Sequence, residues 1–142
     1  MGEIEKIFNF ETFVTGGSIT LILGLLGGWD AMLKLVLISM VLDWITGLIK
    51  SIKNKTLSSR TGFNGIIRKT VMLMVVAFAV ALDEVLSIQG DAVNARFIVL
   101  MFYMGNESLS MLENIEAIGV PIPSKLRDIL VQCRKKGEVE EK

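Results

Sequence analysis

The 142-residue sequence contains no histidine and a single cysteine, Cys133. A Ser-His-Asp triad, a Cys-His pair and a histidine-containing zinc site are therefore excluded within one chain. Cys133 has no second cysteine to pair with and reads as a free thiol in a reducing compartment. Net charge is lacking too: 15 Lys and Arg balance 15 Asp and Glu, so the total gives no support to nucleic acid or another polyanion as partner. Charge is also missing locally. Between residues 16 and 49 only Asp30, Lys34 and Asp43 are charged, and residues 70–82 carry no charge at all. No catalytic residue, cofactor site or metal site is expected from this set.

What is present is apolar: 51% of the residues are hydrophobic, and the mean hydropathy is +0.56. Charged residues are 21% of the chain, so it is their segregation that favours a membrane domain over a soluble bundle. The length fits one domain over residues 1–142. Candidate spans are residues 13–28, 31–49, 66–86 and 97–112. The first reaches only about 24 Å as a helix and the second about 28 Å, against a hydrocarbon thickness of about 30 Å. The expected fold is therefore an all-α integral membrane protein of three or four transmembrane helices with a short C-terminal amphipathic helix.

The start, MGEIEKIFNFE, is acidic and unlike a signal peptide; Ile4, Ile7 and Phe8 suggest an amphipathic lead-in at the interface. In the first span Gly24 and Gly28 form a G-x-x-x-G pair for close helix packing, or else the glycines simply turn the chain at Gly27 and Gly28. Ala77 and Ala81 form a second small-residue pair in the third span. Gly90 and Asp91 mark a turn. After residue 113 a tail follows, in which Gly119, Pro121 and Pro123 form an extended break before a helix whose Leu126, Ile129, Leu130 and Cys133 share one face.

Residues 50–69 hold six bases (Lys50, Lys53, Lys55, Arg60, Arg68 and Lys69) and no acid, whereas residues 83–96 hold three acids and one base. The positive-inside rule makes 50–69 a cytoplasmic loop, shaped by Ser58, Ser59, Gly62 and Gly65, and returns the C-terminal tail to the cytoplasm. These bases need no phosphate ligand to explain them. The Walker-like end at Gly65 lacks the glycine before its lysine, and Gly62-Phe-Asn-Gly65 is too common a pattern to indicate a nucleic-acid loop. Two glycosylation sequons fall in poor places for that modification.

Ionisable residues inside a span are functional-site candidates by default. Asp43 is the first: Thr46 and Lys50 lie on its own helical face and offer it partners. Glu107 is the second. Asn106, Glu107, Ser110, Glu113 and Asn114 concentrate polarity on one side of the fourth segment, as a pore lining or a helix-pairing stripe, or as residues already in water.

The string Asp43-x-x-Thr46-Gly47, then Ser58-Ser59-x-x-Gly62-x-x-Gly65-x-x-Arg68-Lys69, then Asp83 resembles the bacteriophage holin family that includes the toxin-secretion holins. So does Asn106-Glu107-x-x-Ser110-x-x-Glu113-Asn114 followed by Gly119-Val-Pro121-Ile-Pro123. The resemblance implies a non-enzymatic, multi-pass protein of the bacterial inner membrane that forms homo-oligomers and opens lesions in the bilayer. It implies an endolysin or a large toxin as indirect partner, an antiholin as a further one, and host-cell lysis or toxin release as outcome. A small ion channel or transporter subunit is the alternative within membrane proteins, and a soluble helical interaction module the alternative outside them.

Overall fold

The computed structural model of the chain describes residues 10–88 and 94–139. The expected lead-in at Ile4, Ile7 and Phe8 and the expected turn at Gly90 and Asp91 lie outside them. Among the described residues the chain is all helix: α1 Phe10–Leu25, α2 Ala31–Lys53, α3 Ser59–Ile88, α4 Ala95–Ile118 and α5 Ser124–Val139. Two of these, α2 and α3, are long and apolar enough to cross a membrane; α1 is apolar but shorter.

The helix ends follow from local chemistry. Asp30 caps α2, its carboxylate accepting the Leu33 N–H at 2.8 Å. Three helices stop by the same device, in which one residue turns left-handed and its own N–H and the following one bond back into the last turn. For α1 this residue is Gly27 (φ +80°), with Gly27 N–H on Gly24 O and Gly28 N–H on Leu23 O. For α2 it is Lys55 (φ 57°), and for α4 Gly119 (φ +100°), after which Pro121 and Pro123 keep the chain out of helix.

Two sequence expectations are corrected here. Gly24 and Gly28 do not share a helix face, because α1 ends at Leu25 and Gly28 lies in the turn; a Cβ on either would meet nothing within 4 Å. The alternative, a glycine turn, is what the backbone adopts. The basic loop 50–69 is also mostly helix: Lys50 and Lys53 end α2, and Arg60, Arg68 and Lys69 belong to α3. Only residues 54–58 connect the two helices, so Gly62 and Gly65 lie inside α3 and do not shape the turn. Basic side chains are good helix formers and suit the α2 C-terminus, so positive charge did not require a loop.

Packing centres on α4. Its largest interface is with α2, α3 packs on it from another side, and α5 folds back against it. The Arg96 end of α4 meets the Asp30 end of α2, and Lys53 at the far end of α2 donates to Ile118 O at 2.5 Å, so the two helices run parallel. The core between them is Leu33, Val36, Met40, Leu100 and Met104, joined from α3 by Met72 and Val76. Leu130 and Cys133 of α5 pack against this core, whereas Leu126 and Ile129 on the expected shared face stay exposed. Ala77 packs on the core and Ala81 is exposed.

The opposite faces are as apolar as the core. Val71, Met74, Phe78 and Val85 of α3, and Leu35, Ile38, Val41 and Ile45 of α2, are all exposed, Phe78 by 69%. Surfaces of this extent on two long helices suit hydrocarbon, since a soluble monomer rarely exposes contiguous apolar patches of more than a few hundred Å².

Gly27 touches the rest of the fold. A Cβ there would lie 2.5 Å from Arg96 Nε, whereas at Gly28 (φ +97°) it would meet open space. Gly28→Ala is expected to cost about 1–2 kcal/mol for its left-handed backbone alone. Gly27→Ala should cost more by the displacement of Arg96. Unfolding midpoints of the two variants in detergent check this, and equal losses would refute the contact.

Candidate functional site

On each of the three central helices the core-facing stripe begins apolar and turns polar at a similar depth. On α2 the series Leu33, Val36 and Met40 continues with Asp43. On α4 Leu100 and Met104 continue with Glu107, and on α3, read backwards, Val76 and Met72 continue with Lys69. The helical repeat therefore aims Asp43, Lys69 and Glu107 at one point.

There they form an ionic cluster. The Lys69 ammonium donates to Asp43 Oδ2 at 2.8 Å and to Glu107 Oε2. The Arg68 guanidinium donates to Glu107 Oε1 at 3.2 Å and lies 3.7 Å from Asp43 Oδ2. Asn114 donates through Nδ2 to Asp43 Oδ1 at 3.2 Å and accepts from the Lys50 ammonium at 3.2 Å. Glu107 is 2% exposed and Asp43 7%, so both carboxylates are held by protein and not by bulk water. The Lys69 side chain is 14% exposed and that of Arg68 62%, so Lys69 is the cation that matters most inside.

A second polar layer closes the other end. Asp83 of α3 accepts the Ala95 and Arg96 N–H groups at 2.7 and 2.9 Å, capping α4, whose own Asn94 makes no side-chain cap. The Arg96 side chain donates to Leu26 O at 2.7 Å, Gly28 O at 3.3 Å and Asp30 at 2.5 Å, binding the α1–α2 turn to α4. The hydrogen bond from Arg96, then that from Leu33 N–H, holds the Asp30 carboxyl below its ordinary 3.8. At 1.5 Å per residue the ionic cluster lies about 17–21 Å from this layer along the three helices. The apolar core fills the space between.

The sequence-predicted residues divide. Asp43, Glu107, Asn114, Lys50, Arg68 and Lys69 are brought together. Thr46 is not a partner of the Asp43 carboxylate; its hydroxyl donates to Leu42 O and Asp43 O along its own helix. Lys50, the other expected partner, bonds Asn114 instead, because partners from α3 and α4 reach the carboxylate first. Asn106 and Ser110 line a cavity of about 380 Å³ beside Glu107, and Glu113 points away, exposed. A second cavity, about 280 Å³, lies between α2 and α3 beside Asp43 and Lys50. From the sequence Lys69 is a topology signal and a residue of the family motif, not a partner of the carboxylates, and Arg96 has no role. The spacing of Lys69 with Met72 and Val76 was a usable signal for the first; nothing local marked the second. Among the described residues no group of three or more His, Cys, Asp or Glu could hold a metal ion.

Comparison with known proteins points one way. The model of the bacteriophage holin family matches residues 20–135. A protein named probable holin, from Bacillus phage phi105, is 40% identical over 98 residues, covering 69% of this chain and 70% of that one. An uncharacterised 14.9 kDa protein from the nagH 3' region of Clostridium perfringens is 38% identical over 94% of this chain and 99% of its own length. An uncharacterised Bacillus subtilis protein, YqxH, is 37% identical over 97% of this chain and 92% of its own. No solved structure matches. With its apolar helices and a family match that takes in every member of the ionic cluster, the chain belongs to the bacteriophage holin family.

Proposed function

We propose that the protein accumulates in the bacterial cytoplasmic membrane, forms homo-oligomers and opens lesions there, without enzymatic activity of its own. Through these lesions an endolysin, or a large toxin lacking a signal peptide, acts on or leaves the cell; an antiholin is the natural regulator in this reading. The observation that carries it is the pairing of apolar outer faces with a buried ionic cluster. A single copy pairs its two buried carboxylates, Asp43 and Glu107, internally and is a stable guest of the bilayer. Separation of α3 from α4 would expose Asp43, Glu107, Arg68 and Lys69 together, giving a wall that holds water.

In this reading α1 to α4 cross the membrane, with residues 50–69 and the C-terminus on the cytoplasmic side, where their bases favour them. Support for including α1 comes from its exposed apolar surface, with Ile19, Leu21, Ile22 and Leu25 all more than half exposed.

Expressed alone in bacteria, the protein is expected to halt growth abruptly; expressed with an endolysin, it should produce a sharp fall in turbidity. Selective conductance without killing would favour an ion channel, and recovery in the soluble fraction without detergent would overturn the membrane reading. Asp43→Leu and Glu107→Leu are each expected to shift the time of lysis. Unchanged timing and oligomer size in both would remove the cluster from the mechanism.

A further inference from the structure

The ionic network does not balance. Lys50, Arg68 and Lys69 carry three positive charges against two carboxylates, Asp43 and Glu107, and the excess falls on Lys50, whose partner is the neutral Asn114. Lys50 has no carboxylate partner among the described residues, and it borders the cavity of about 280 Å³ between α2 and α3. A partly buried cation without a carboxylate partner, at the cytoplasmic end of the span, is placed to take an anion.

The rest of the cavity suits one kind of anion. α2 and α3 pack only lightly on each other, and Gly62 leaves the wall open, since a Cβ there would meet nothing within 4 Å; at Gly47 and Gly65 it would touch Asn114 and Trp44. The side-chain hydroxyls of Ser58 and Thr61 line the cavity and make no bond to protein among the described residues. The mouth is apolar: Trp44, Leu48 and Leu57 are exposed there and continue into the outer faces of α2 and α3. A small inorganic anion has no use for such a rim, whereas acyl chains do.

We propose that this cleft binds the phosphodiester headgroup of an anionic lipid, with Lys50 supplying the charge, Ser58 and Thr61 the hydrogen bonds, and the Trp44–Leu57 rim the acyl contact. Basic recesses between membrane helices are established sites for acidic headgroups. The proposal rests on the membrane reading, which is tested separately by fractionation.

The full chain in nanodiscs provides the test, with unfolding midpoints compared between phosphatidylcholine alone and phosphatidylcholine with phosphatidylglycerol. Phosphatidylglycerol is expected to raise the wild-type midpoint by at least about 4 °C. Lys50→Gln, which keeps a donor for Asn114, and Gly62→Leu, which fills the cleft without changing charge, should each lose most of that gain. Arg60→Gln, outside the cleft, should keep it. No gain from phosphatidylglycerol, or an equal loss in Arg60→Gln, would overturn the site in favour of none or of diffuse attraction to the basic surface. A full gain from millimolar inorganic phosphate in phosphatidylcholine would overturn the lipid assignment.

Discussion

Replacing Lys69 by methionine is expected to destabilise the protein by about 3–5 kcal/mol, the range for breaking a buried ion pair from one side. Methionine preserves the volume and the contact with the Met72 side of the core, but it leaves Asp43 and Glu107 buried and facing each other with only Arg68 to offset them. Arg68 reaches both carboxylates, yet its side chain is 62% exposed and works from the solvent-facing side. The loss is therefore expected near the lower end of that range. The companion variant Lys69→Met with Glu107→Met should recover much of it, since a buried pair replaced whole by apolar groups is often close to neutral. Unfolding midpoints in detergent and membrane levels by immunoblot measure both. A single variant within about 0.5 kcal/mol of wild type would mean that the cluster is wetter than its burial implies.

Arg96→Lys should be the next most damaging change, at roughly 2–4 kcal/mol, although it keeps the charge. The guanidinium serves three acceptors on the α1–α2 turn from one planar fork, and a lysine ammonium cannot span them. Most of the loss comes from Leu26 O and Gly28 O. The pair with Asp30 is exposed and contributes little at high salt. Its sign with pH is nevertheless fixed. The Asp30 carboxyl is held below 3.8 in the fold, so its contribution is fully present above that value and is lost as pH falls through the lower folded value. Asp30→Asn should remove this acid-side dependence and leave the neutral-pH midpoint nearly unchanged. A loosened α1–α2 turn in Arg96→Lys would show as faster protease cleavage between residues 25 and 31, and unchanged cleavage would count against the clamp.

Taken together, the two polar layers explain how strongly apolar helices keep a defined register. The Arg96 layer fixes α1, α2 and α4 at one end, and the Lys69 layer joins α2, α3 and α4 at the other. Sliding α2 or α4 by one turn would strand a carboxylate against the methionine-rich core, and that cost selects the register.

Sequence alone determined the class and the residues that had to be explained. Charge segregation marked an all-helical membrane chain, the motif strings marked the family, and Asp43 and Glu107 stood out because an ionisable group in an apolar run is costly wherever it ends up. The break at Gly119, Pro121 and Pro123 was equally legible, since φ preferences are local. The tertiary structure alone decided which groups meet that cost. Asp43 finds Lys69 on α3 and Asn114 on α4, and not its helical neighbours Thr46 and Lys50, because α2 packs on α4 and leaves α3 to close the cluster from the side. Helix continuing through residues 59–69, and α1 ending before Gly28, rest instead on local chemistry, basic helix formers in the first case and a left-handed glycine turn in the second. Hydropathy and spacing report what each residue requires of its surroundings; which distant side chain supplies it depends on how the helices pair.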